Sequence, residues 1–274
     1  MVFGVNSKRK VDMSNTTKSD NESNSRNEQV RWVIDPVSMD KLRIIPGHDK
    51  AANWLVPVIL EALKTTGKVI FAAGGESGTG KSEIAYLVRE ILKGQGVSTV
   101  EWSFDNAYVT TPEEREKKRA EDYDNNVGLN EMNRPKIEEV MSCFEQGRPV
   151  TVPIVIINED GSRPIKEITL NMADKKVLIF DGLYAALIGK IKTDESKATR
   201  IIAMNEKKFN LNAQKERGKE ELNEHRLKVL ERECNAVRSL WIHVTHKISE
   251  DWNVTVYTYT PHHNLQSLGD PVPQ

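Results

Sequence analysis

Eight consecutive residues match every fixed position of the phosphate-binding pattern G-x-x-x-x-G-K-[ST]. In such a loop, glycines let successive backbone N–H groups point at phosphate oxygens, and the following helix adds the positive end of its dipole. Lys81 is expected to reach the β- and γ-phosphates, and Ser82 to hold Mg²⁺. The pattern predicts a nucleoside triphosphate site made of Gly75, Glu76, Ser77, Gly78, Thr79, Gly80, Lys81 and Ser82.

The segments on either side of this loop favour the same interpretation. Residues 68–73 (KVIFAA) are apolar and β-branched, which predicts a strand, and residues 82–93 (SEIAYLVREILK) carry apolar side chains at helical spacing. Strand, glycine loop and helix is the order that phosphate binding requires. An ordinary glycine turn before a helix is the alternative, and eight matching positions in this setting weigh against it.

Two acidic residues follow predicted strands, where ligands bind in α/β sheets. Asp105 follows residues 97–104 (VSTVEWSF), and its carboxylate is suited to accept a proton from a substrate hydroxyl as that hydroxyl attacks the γ-phosphate. An Asx-turn that caps the loop is the alternative. Tyr108 offers a flat polar contact nearby. Asp181 ends residues 176–181 (KVLIFD), the position expected for a Mg²⁺-associated carboxylate.

A third candidate is the basic sequence Arg217-Gly218-Lys219-Glu220. Phosphoryl transfer is catalysed mainly by positioning and by neutralising charge, so a segment that brings Arg217 and Lys219 over the phosphates would assist it. Charge runs also occur as solvated helix faces, and the local sequence leaves that alternative open.

The remaining pattern alternates strands and helices, which predicts an α/β fold. Residues 1–29 are polar and predict a disordered tail, followed by one domain over 30–274 whose phosphate-binding core covers about 68–260. Further strands are expected at 30–35, 41–45, 150–157, 165–170, 199–204 and 252–260. Helices are expected at 49–65 (interrupted or begun by Pro57), 113–121, 134–146 and the second half of 209–240.

Composition limits the partners. The chain has 39 Lys and Arg against 40 Asp and Glu, and a net charge of −1 gives no overall attraction to nucleic acid or anionic membranes. Its two cysteines, Cys143 and Cys234, form no disulfide or metal-binding pattern, which suits a reducing compartment. No apolar run approaches 18 residues and no secretion signal is present, so we expect a cytoplasmic protein.

Six short motifs, taken in order, resemble the uridine kinase and phosphoribulokinase family of P-loop kinases over residues 68–255. They are GGESGTGKS, SFDNAY, MNRP, GRPVTVP, LIFDGLY and ERGKE leading into RLKVLERE. The resemblance implies a three-layer P-loop sandwich, nucleoside-kinase-like, with a mostly parallel sheet, a small β element on the acceptor side and a helical lid with basic residues. It also implies ATP and Mg²⁺ as cofactors. By the same resemblance, Asp105 is the base, Arg217 and Lys219 are lid residues that contact phosphates, and Asp181 stands where a glutamate is common.

The departures from the family concern the acceptor. Asn133 precedes Arg134-Pro135 where uridine kinases carry an acidic residue before H-P, and residues 153–156 (PIVI) replace the expected Y-D. An amide does not accept hydrogen bonds as a carboxylate does, so a preference for pyrimidine nucleosides does not transfer. We expect Tyr108, Asn133 and Arg134 to contact an acceptor of another kind.

These observations predict a kinase that moves the γ-phosphate of Mg-ATP to a hydroxyl of a small metabolite, such as a nucleoside, a sugar phosphate or a related alcohol. A nucleotide-binding switch or assembly ATPase is the alternative, because Ser82 and Asp181 would serve either activity. A third hypothesis places the acceptor hydroxyl on a modified base or sugar of a nucleic acid, which the near-neutral charge argues against. Homo-oligomer formation stays open.

Overall fold

The computed structural model describes residues 30–38, 40–156, 158, 162–191, 198–205 and 224–240, and the backbone of strands at 246–249, 252–259 and 266–267. The helices are α1 (Pro46–Thr66), α2 (Lys81–Gly94), α3 (Pro112–Glu121), α4 (Tyr123–Asn126), α5 (Arg134–Gln146) and α6 (Glu224–Arg238). Short 3₁₀ turns occur at Phe104–Asn106, Leu129–Glu131 and Ala185–Lys190. The predicted tail at 1–29 and the predicted lid around Arg217 and Lys219 lie outside the described residues.

A seven-stranded sheet forms the centre of the described structure, flanked by two hairpins. Its parallel part has the order β4 (Thr99–Glu101), β7 (Val177–Asp181), β3 (Val69–Gly75) and β8 (Thr199–Asn205). Antiparallel strands β9 (His246–Ser249), β10 (Trp252–Tyr259) and β11 (Gln266–Ser267) extend it beyond β8. The hairpins are β1 (Arg31–Ile34) with β2 (Lys41–Ile44), and β5 (Val150–Val155) with β6 (Ile165–Leu170). The α/β class and the mostly parallel sheet are confirmed.

Apolar side chains alternate along the parallel strands and bury both faces of the sheet. Phe71 and Ile179 face α1 and α2, whereas Ile70 and Phe180 face α5, α6 and the β5–β6 hairpin. Because successive side chains of a strand point to opposite faces, strands buried on both sides read as continuous apolar runs. The three layers are therefore helices, sheet and helices, with β3 at the centre.

Helix α1 differs from the prediction, because it continues through Pro57 without a break. Proline removes one helical hydrogen bond and favours a kink. Pro57 is exposed, however, while its neighbours Leu55, Val56 and Ile59 pack into the core. Burial of that face maintains the helix, and the carbonyl that loses its donor lies on the side of the helix that water reaches.

The predicted strand at 97–104 is also shorter than expected, since only Thr99–Glu101 pairs with β7. After it, the chain turns into the 3₁₀ segment Phe104–Asn106. The indole N–H of Trp102 donates to the carbonyl of Pro153 at 3.0 Å, and Asn106 Oδ1 accepts from the N–H of Val155 at 2.8 Å. These contacts direct the chain away from the sheet and toward the β5–β6 hairpin.

Candidate active site

The phosphate loop connects the fully buried strand β3 to α2, as the sequence predicts. Gly80, the residue before α2, has φ +90°, a conformation that side chains with a Cβ rarely adopt. A Cβ there would lie 2.4 Å from Nε2 of His48. His48 is buried in the first turn of α1, and its Nδ1 accepts from the N–H of Ile45. Helix α1 therefore fixes the close approach that makes glycine necessary.

Inside the loop, the carbonyl of Glu76 accepts from Thr79 Oγ1 at 2.8 Å and from Lys81 Nζ at 3.5 Å. The carboxylate of Glu76 is fully buried and turns toward α6, where Oε1 accepts from Arg238 Nε at 2.7 Å. The thiol of Cys234 also hydrogen-bonds this carboxylate. Glu76 was predicted to bind the cofactor, and its side chain faces α6, so any such contribution comes from its backbone.

Asp181 lies at the carboxyl end of β7, beside Ala73 of the strand that enters the loop. Burial and the neighbouring charge of Asp105 raise the pKa of Asp181 to about 6, against the opposing effects of the Ser82 hydroxyl, the Lys81 charge and Ser103. Two oxygen-bearing side chains from different elements thus meet beside the loop lysine. Hydroxyl and carboxylate oxygens are ligands that Mg²⁺ takes, so Ser82 and Asp181 are the residues here that could hold the cation.

Asp105 lies in the 3₁₀ segment after β4, with an exposed side chain. The turn is capped by Ser103, whose Oγ accepts from the N–H of Asp105 at 3.2 Å. Gly182, with φ +137°, permits the contact that brings this turn against the end of β7, because a Cβ on it would lie 2.8 Å from Cβ of Phe104. The structure therefore brings Asp105 and Asp181 together, because β4 and β7 are neighbours in the sheet.

The three residues predicted to contact the acceptor differ in their surroundings. Tyr108 pairs with Met132 in an isolated bridge, and the guanidinium carbon of Arg115 lies 3.8 Å from the centre of its ring. Asn133 caps α5, because its Oδ1 accepts from the N–H of Lys136 at 3.1 Å. Arg134 begins α5 and is exposed. The cap accounts for Asn133 structurally, and contact of all three residues with an acceptor stays a prediction.

A buried ionic cluster next to Tyr108 was not predicted. Arg119 of α3 donates to both carboxylate oxygens of Glu131, at 2.7 and 3.0 Å, and to Oε1 of Glu233 on α6 at 2.9 Å. Burial raises the pKa of the Glu233 carboxyl, and the charges of Arg119 and Arg226 lower it. The net result is a raised pKa. The sequence shows these residues only as members of charged runs, and their separation of up to 114 positions conceals the contact.

A second buried cluster supports the edge of the sheet. Arg89 of α2 pairs with Asp35, which follows β1, at 2.7 Å and with Glu101 of β4 at 2.5 Å. Burial and the charge of Asp181 raise the pKa of Glu101 to about 8, while Arg89 opposes the shift. This cluster connects the β1–β2 hairpin to the strand that leads toward Asp105. Sequence patterns gave no sign of it, since α2 reads as an ordinary amphipathic helix.

An α/β fold whose central strand enters a phosphate loop, with two carboxylates at neighbouring strand ends, is typical of P-loop nucleotide-binding proteins, a class that includes kinases. The model of the Phosphoribulokinase / Uridine kinase family matches residues 70–238, more than half of the 274 residues. The chain belongs to this family, whose members are small-molecule kinases, and the resemblance carried by the sequence motifs is confirmed.

Solved structures with similar folds include three kinases of low identity. D-glycerate 3-kinase from Cryptococcus neoformans is 15% identical with a TM-score of 0.38, over 48% of this chain and 51% of that chain. A possible uridine kinase from Bacillus stearothermophilus is 19% identical with a TM-score of 0.40, over 51% and 73%. Phosphoribulokinase from Rhodobacter spheroides is 13% identical with a TM-score of 0.37, over 48% of each chain.

This chain spans about half the length of the glycerate kinase and of the phosphoribulokinase. Family membership therefore depends on the match to the family model and not on these structures. A comparison with curated proteins found no match. Within the described residues, no helix combines the length and the apolar composition that crossing a bilayer requires.

Proposed function

We propose that this protein transfers the γ-phosphate of Mg-ATP to a hydroxyl group of a small-molecule acceptor. The observation that carries the proposal is the placement of Asp105 beside Asp181 and the phosphate loop. Asp181 is partly buried next to Ser82, whereas Asp105 is exposed on the side from which an acceptor would approach. Two carboxylates in such different surroundings suit two different roles.

On the donor side, the loop and the first turn of α2 bind the triphosphate through backbone N–H groups. Lys81 neutralises charge on the β- and γ-phosphates, and Ser82 and Asp181 hold Mg²⁺. The metal supplies further neutralisation of the charge that develops during transfer. Asp181 must be ionised to bind the cation, so nucleotide binding in the presence of Mg²⁺ is expected to weaken as the pH falls below about 6.

On the acceptor side, Asp105 accepts the proton of the attacking hydroxyl, and its carboxylate needs only to reach that oxygen. In this proposal Tyr108, Asn133 and Arg134 contact the acceptor. Arg217 and Lys219 contact the phosphates in this proposal, a role that follows from the family resemblance.

Replacement of the base tests this assignment. Asp105→Asn keeps the size of the side chain and removes its ability to take a proton, so transfer is expected to fall about 10²- to 10⁴-fold while ATP binding changes little. The measurement is acceptor-dependent ADP release over a panel of sugars, nucleosides, hydroxy acids and sugar phosphates, with Lys81→Ala as the blank.

Asp174→Asn is the matched control, because Asp174 is exposed in the turn before β7, at the opposite end of the sheet. Full transfer activity in Asp105→Asn would contradict the role of the base. Hydrolysis of ATP at the same rate with and without every acceptor would contradict the proposed kinase activity and favour a nucleotide switch.

A further inference from the structure

Arg115, on α3, is half-buried and packs against Tyr108. Its guanidinium lies flat on the Tyr108 ring, 3.8 Å from the ring centre. Its Nε is shielded from solvent and has no hydrogen-bond partner within the described residues. The guanidinium groups of Arg89 and Arg119, by contrast, each pair with two or more carboxylates. Arg115 forms no ion pair with any described carboxylate.

A second polar group in the same region lacks a partner. The side chain of Tyr184, which follows β7 by three residues, is 1% exposed, and its hydroxyl forms no hydrogen bond with the described residues. Burial and the neighbouring phenol of Tyr108 raise the pKa of the Tyr184 hydroxyl. Buried polar groups in native proteins nearly always have partners, and an exception calls for a bound molecule or a functional role. Two such groups, the Arg115 guanidinium and the Tyr184 hydroxyl, therefore lie near Tyr108.

This region adjoins the proposed base. Asp105 lies three residues before Tyr108 in the same loop. Burial and the charge of Asp105 raise the pKa of the Tyr108 phenol, whereas the charge of Arg115 lowers it. An acceptor whose hydroxyl reaches Asp105 would place its remaining atoms near the Tyr108 ring. Those atoms would then meet the guanidinium of Arg115.

We infer that the acceptor carries an anionic group, a carboxylate or a phosphate ester, that Arg115 binds while the acceptor hydroxyl faces Asp105. This inference depends on the proposed kinase function for the role of Asp105. A guanidinium is a planar fork that binds carboxylate or phosphate through two parallel hydrogen bonds, and stacking on an aromatic ring fixes its plane before the ligand arrives. Tyr184 contributes a hydroxyl donor to the same group. A neutral nucleoside or sugar would leave the cation unmatched.

The test compares acceptors that differ only in the anionic group. Glycerate is paired with glycerol, and ribulose 5-phosphate with ribulose, so that the carboxylate and phosphate sources are tested separately. Binding is measured by calorimetry with a non-hydrolysable ATP analogue and Mg²⁺ present, because the analogue occupies the phosphate loop and prevents phosphate groups from binding there. Transfer is measured separately as ADP release.

The anionic member of at least one pair is expected to bind at least 10-fold more tightly than its neutral partner. Arg115→Gln should weaken binding of that anion about 10- to 100-fold, the range for hydrogen bonds to charged groups, and leave the neutral partner unchanged. Arg115→Lys keeps the charge and loses the planar fork, so its affinity for the anion should lie between those of the unmodified protein and Arg115→Gln. Tyr184→Phe should also weaken binding of the anion, without loss of folding stability, because it removes a hydroxyl that has no partner.

Arg148→Gln is the matched control, since Arg148 is exposed and its Nε contacts Gln146. Equal binding of anionic and neutral partners, or no binding of either anion, overturns the inference. An equal loss for both partners in Arg115→Gln also overturns it, because the arginine would then act only on the fold. Selective anion binding without any ADP release above the Lys81→Ala blank contradicts the kinase function and the role of the anion as an acceptor, and supports only anion binding by Arg115.

Discussion

Removal of Arg119 should destabilise the protein more than removal of either of its acidic partners. The side chains of Arg119, Glu131 and Glu233 are only 2%, 7% and 6% exposed. Arg119→Met keeps most of the volume of the side chain and removes its charge. Two buried carboxylates then lose the cation that both of them contact, and neither lies where water can replace it.

The size of the effect follows from this burial. Breaking a buried ion pair by removing one partner costs about 3–5 kcal/mol, a large part of the roughly 5–15 kcal/mol that stabilises a typical domain. With a denaturant slope of about 2–3 kcal/mol/M for urea, the unfolding midpoint should fall by about 1–2.5 M.

The acidic partners should respond unequally. Glu131 makes two hydrogen bonds to Arg119 and also accepts from the N–H of Gly128 at 2.9 Å, so Glu131→Gln should cost about 1–3 kcal/mol. Glu233 makes one hydrogen bond to Arg119 at 2.9 Å, and burial raises the pKa of its carboxyl because burial disfavours the ionised form. Arg119 would keep its pair with Glu131, and Arg226, 3.9 Å from Glu233, is 32% exposed, so Glu233→Gln should cost less, about 1 kcal/mol or below.

The pH dependence provides a separate check on Arg119→Met. Burial raises the pKa of Glu233 above its ordinary value, and without Arg119 less opposes that shift. Between the unfolded and folded pKa values, the folded state binds more protons than the unfolded state, so stability decreases as pH rises. The deficit of Arg119→Met should be largest at pH 8 and smaller at pH 5.

Urea unfolding followed by circular dichroism at pH 5 and pH 8 measures these effects, with the exposed Arg148→Met as control. The reasoning is refuted if Arg119→Met is no more destabilising than Arg148→Met, or if its deficit grows as the pH falls.

Three further predictions concern the phosphate loop and α6. Gly80→Ala should lose about 1–3 kcal/mol of stability and weaken ATP binding, because the φ of Gly80 is positive and the added Cβ would clash. Gly94 has open space around it, so Gly94→Ala should be neutral or stabilising in urea unfolding. Alkylation of Cys234 by iodoacetamide at pH 8, followed by peptide mass spectrometry, should be slow, because burial and the Glu76 carboxylate raise the pKa of the thiol to about 12. Glu76→Gln should accelerate the alkylation. Rapid labelling of Cys234 in the unmodified protein would contradict this prediction. Arg238→Met should lower the free energy of unfolding by about 1–2 kcal/mol, less than the loss of a fully buried pair, because Arg238 is 41% exposed. Unchanged stability in urea would show that Glu76 does not need this counter-charge.

Features encoded by neighbouring residues could be predicted from the sequence. The phosphate loop, the strand before it and the helix after it depend on eight consecutive positions and two short apolar patterns. The positions of Asp105 and Asp181 after strands could also be predicted, because ligands bind at the carboxyl ends of strands in α/β sheets. That their two strands are neighbours in the sheet could not, since local sequence does not determine the order of strands.

Contacts between distant segments could not be predicted in this way. Glu76 fits the variable position of the loop pattern, and nothing near it in the sequence indicates that its carboxylate turns toward Arg238, 162 residues later. Arg119 and Arg115 are both part of one charged helix that reads as solvated, yet each side chain turns inward. Periodicity identifies a helix face, and only the packing of other elements shows which charged side chains are enclosed by it.

Helix α6 links the two halves of the candidate site. Its Arg238 and Cys234 contact Glu76 of the phosphate loop, and its Glu233 contacts Arg119 beside Tyr108. Two of these contacts, Arg238–Glu76 and Glu233–Arg119, are ion pairs, so a shift of α6 would break at least one of them. The segment with the predicted lid residues directly precedes α6 in the sequence. A displacement of α6 would therefore alter the phosphate loop and the surroundings of Tyr108 together, and in the proposed kinase that displacement would couple the donor to the acceptor.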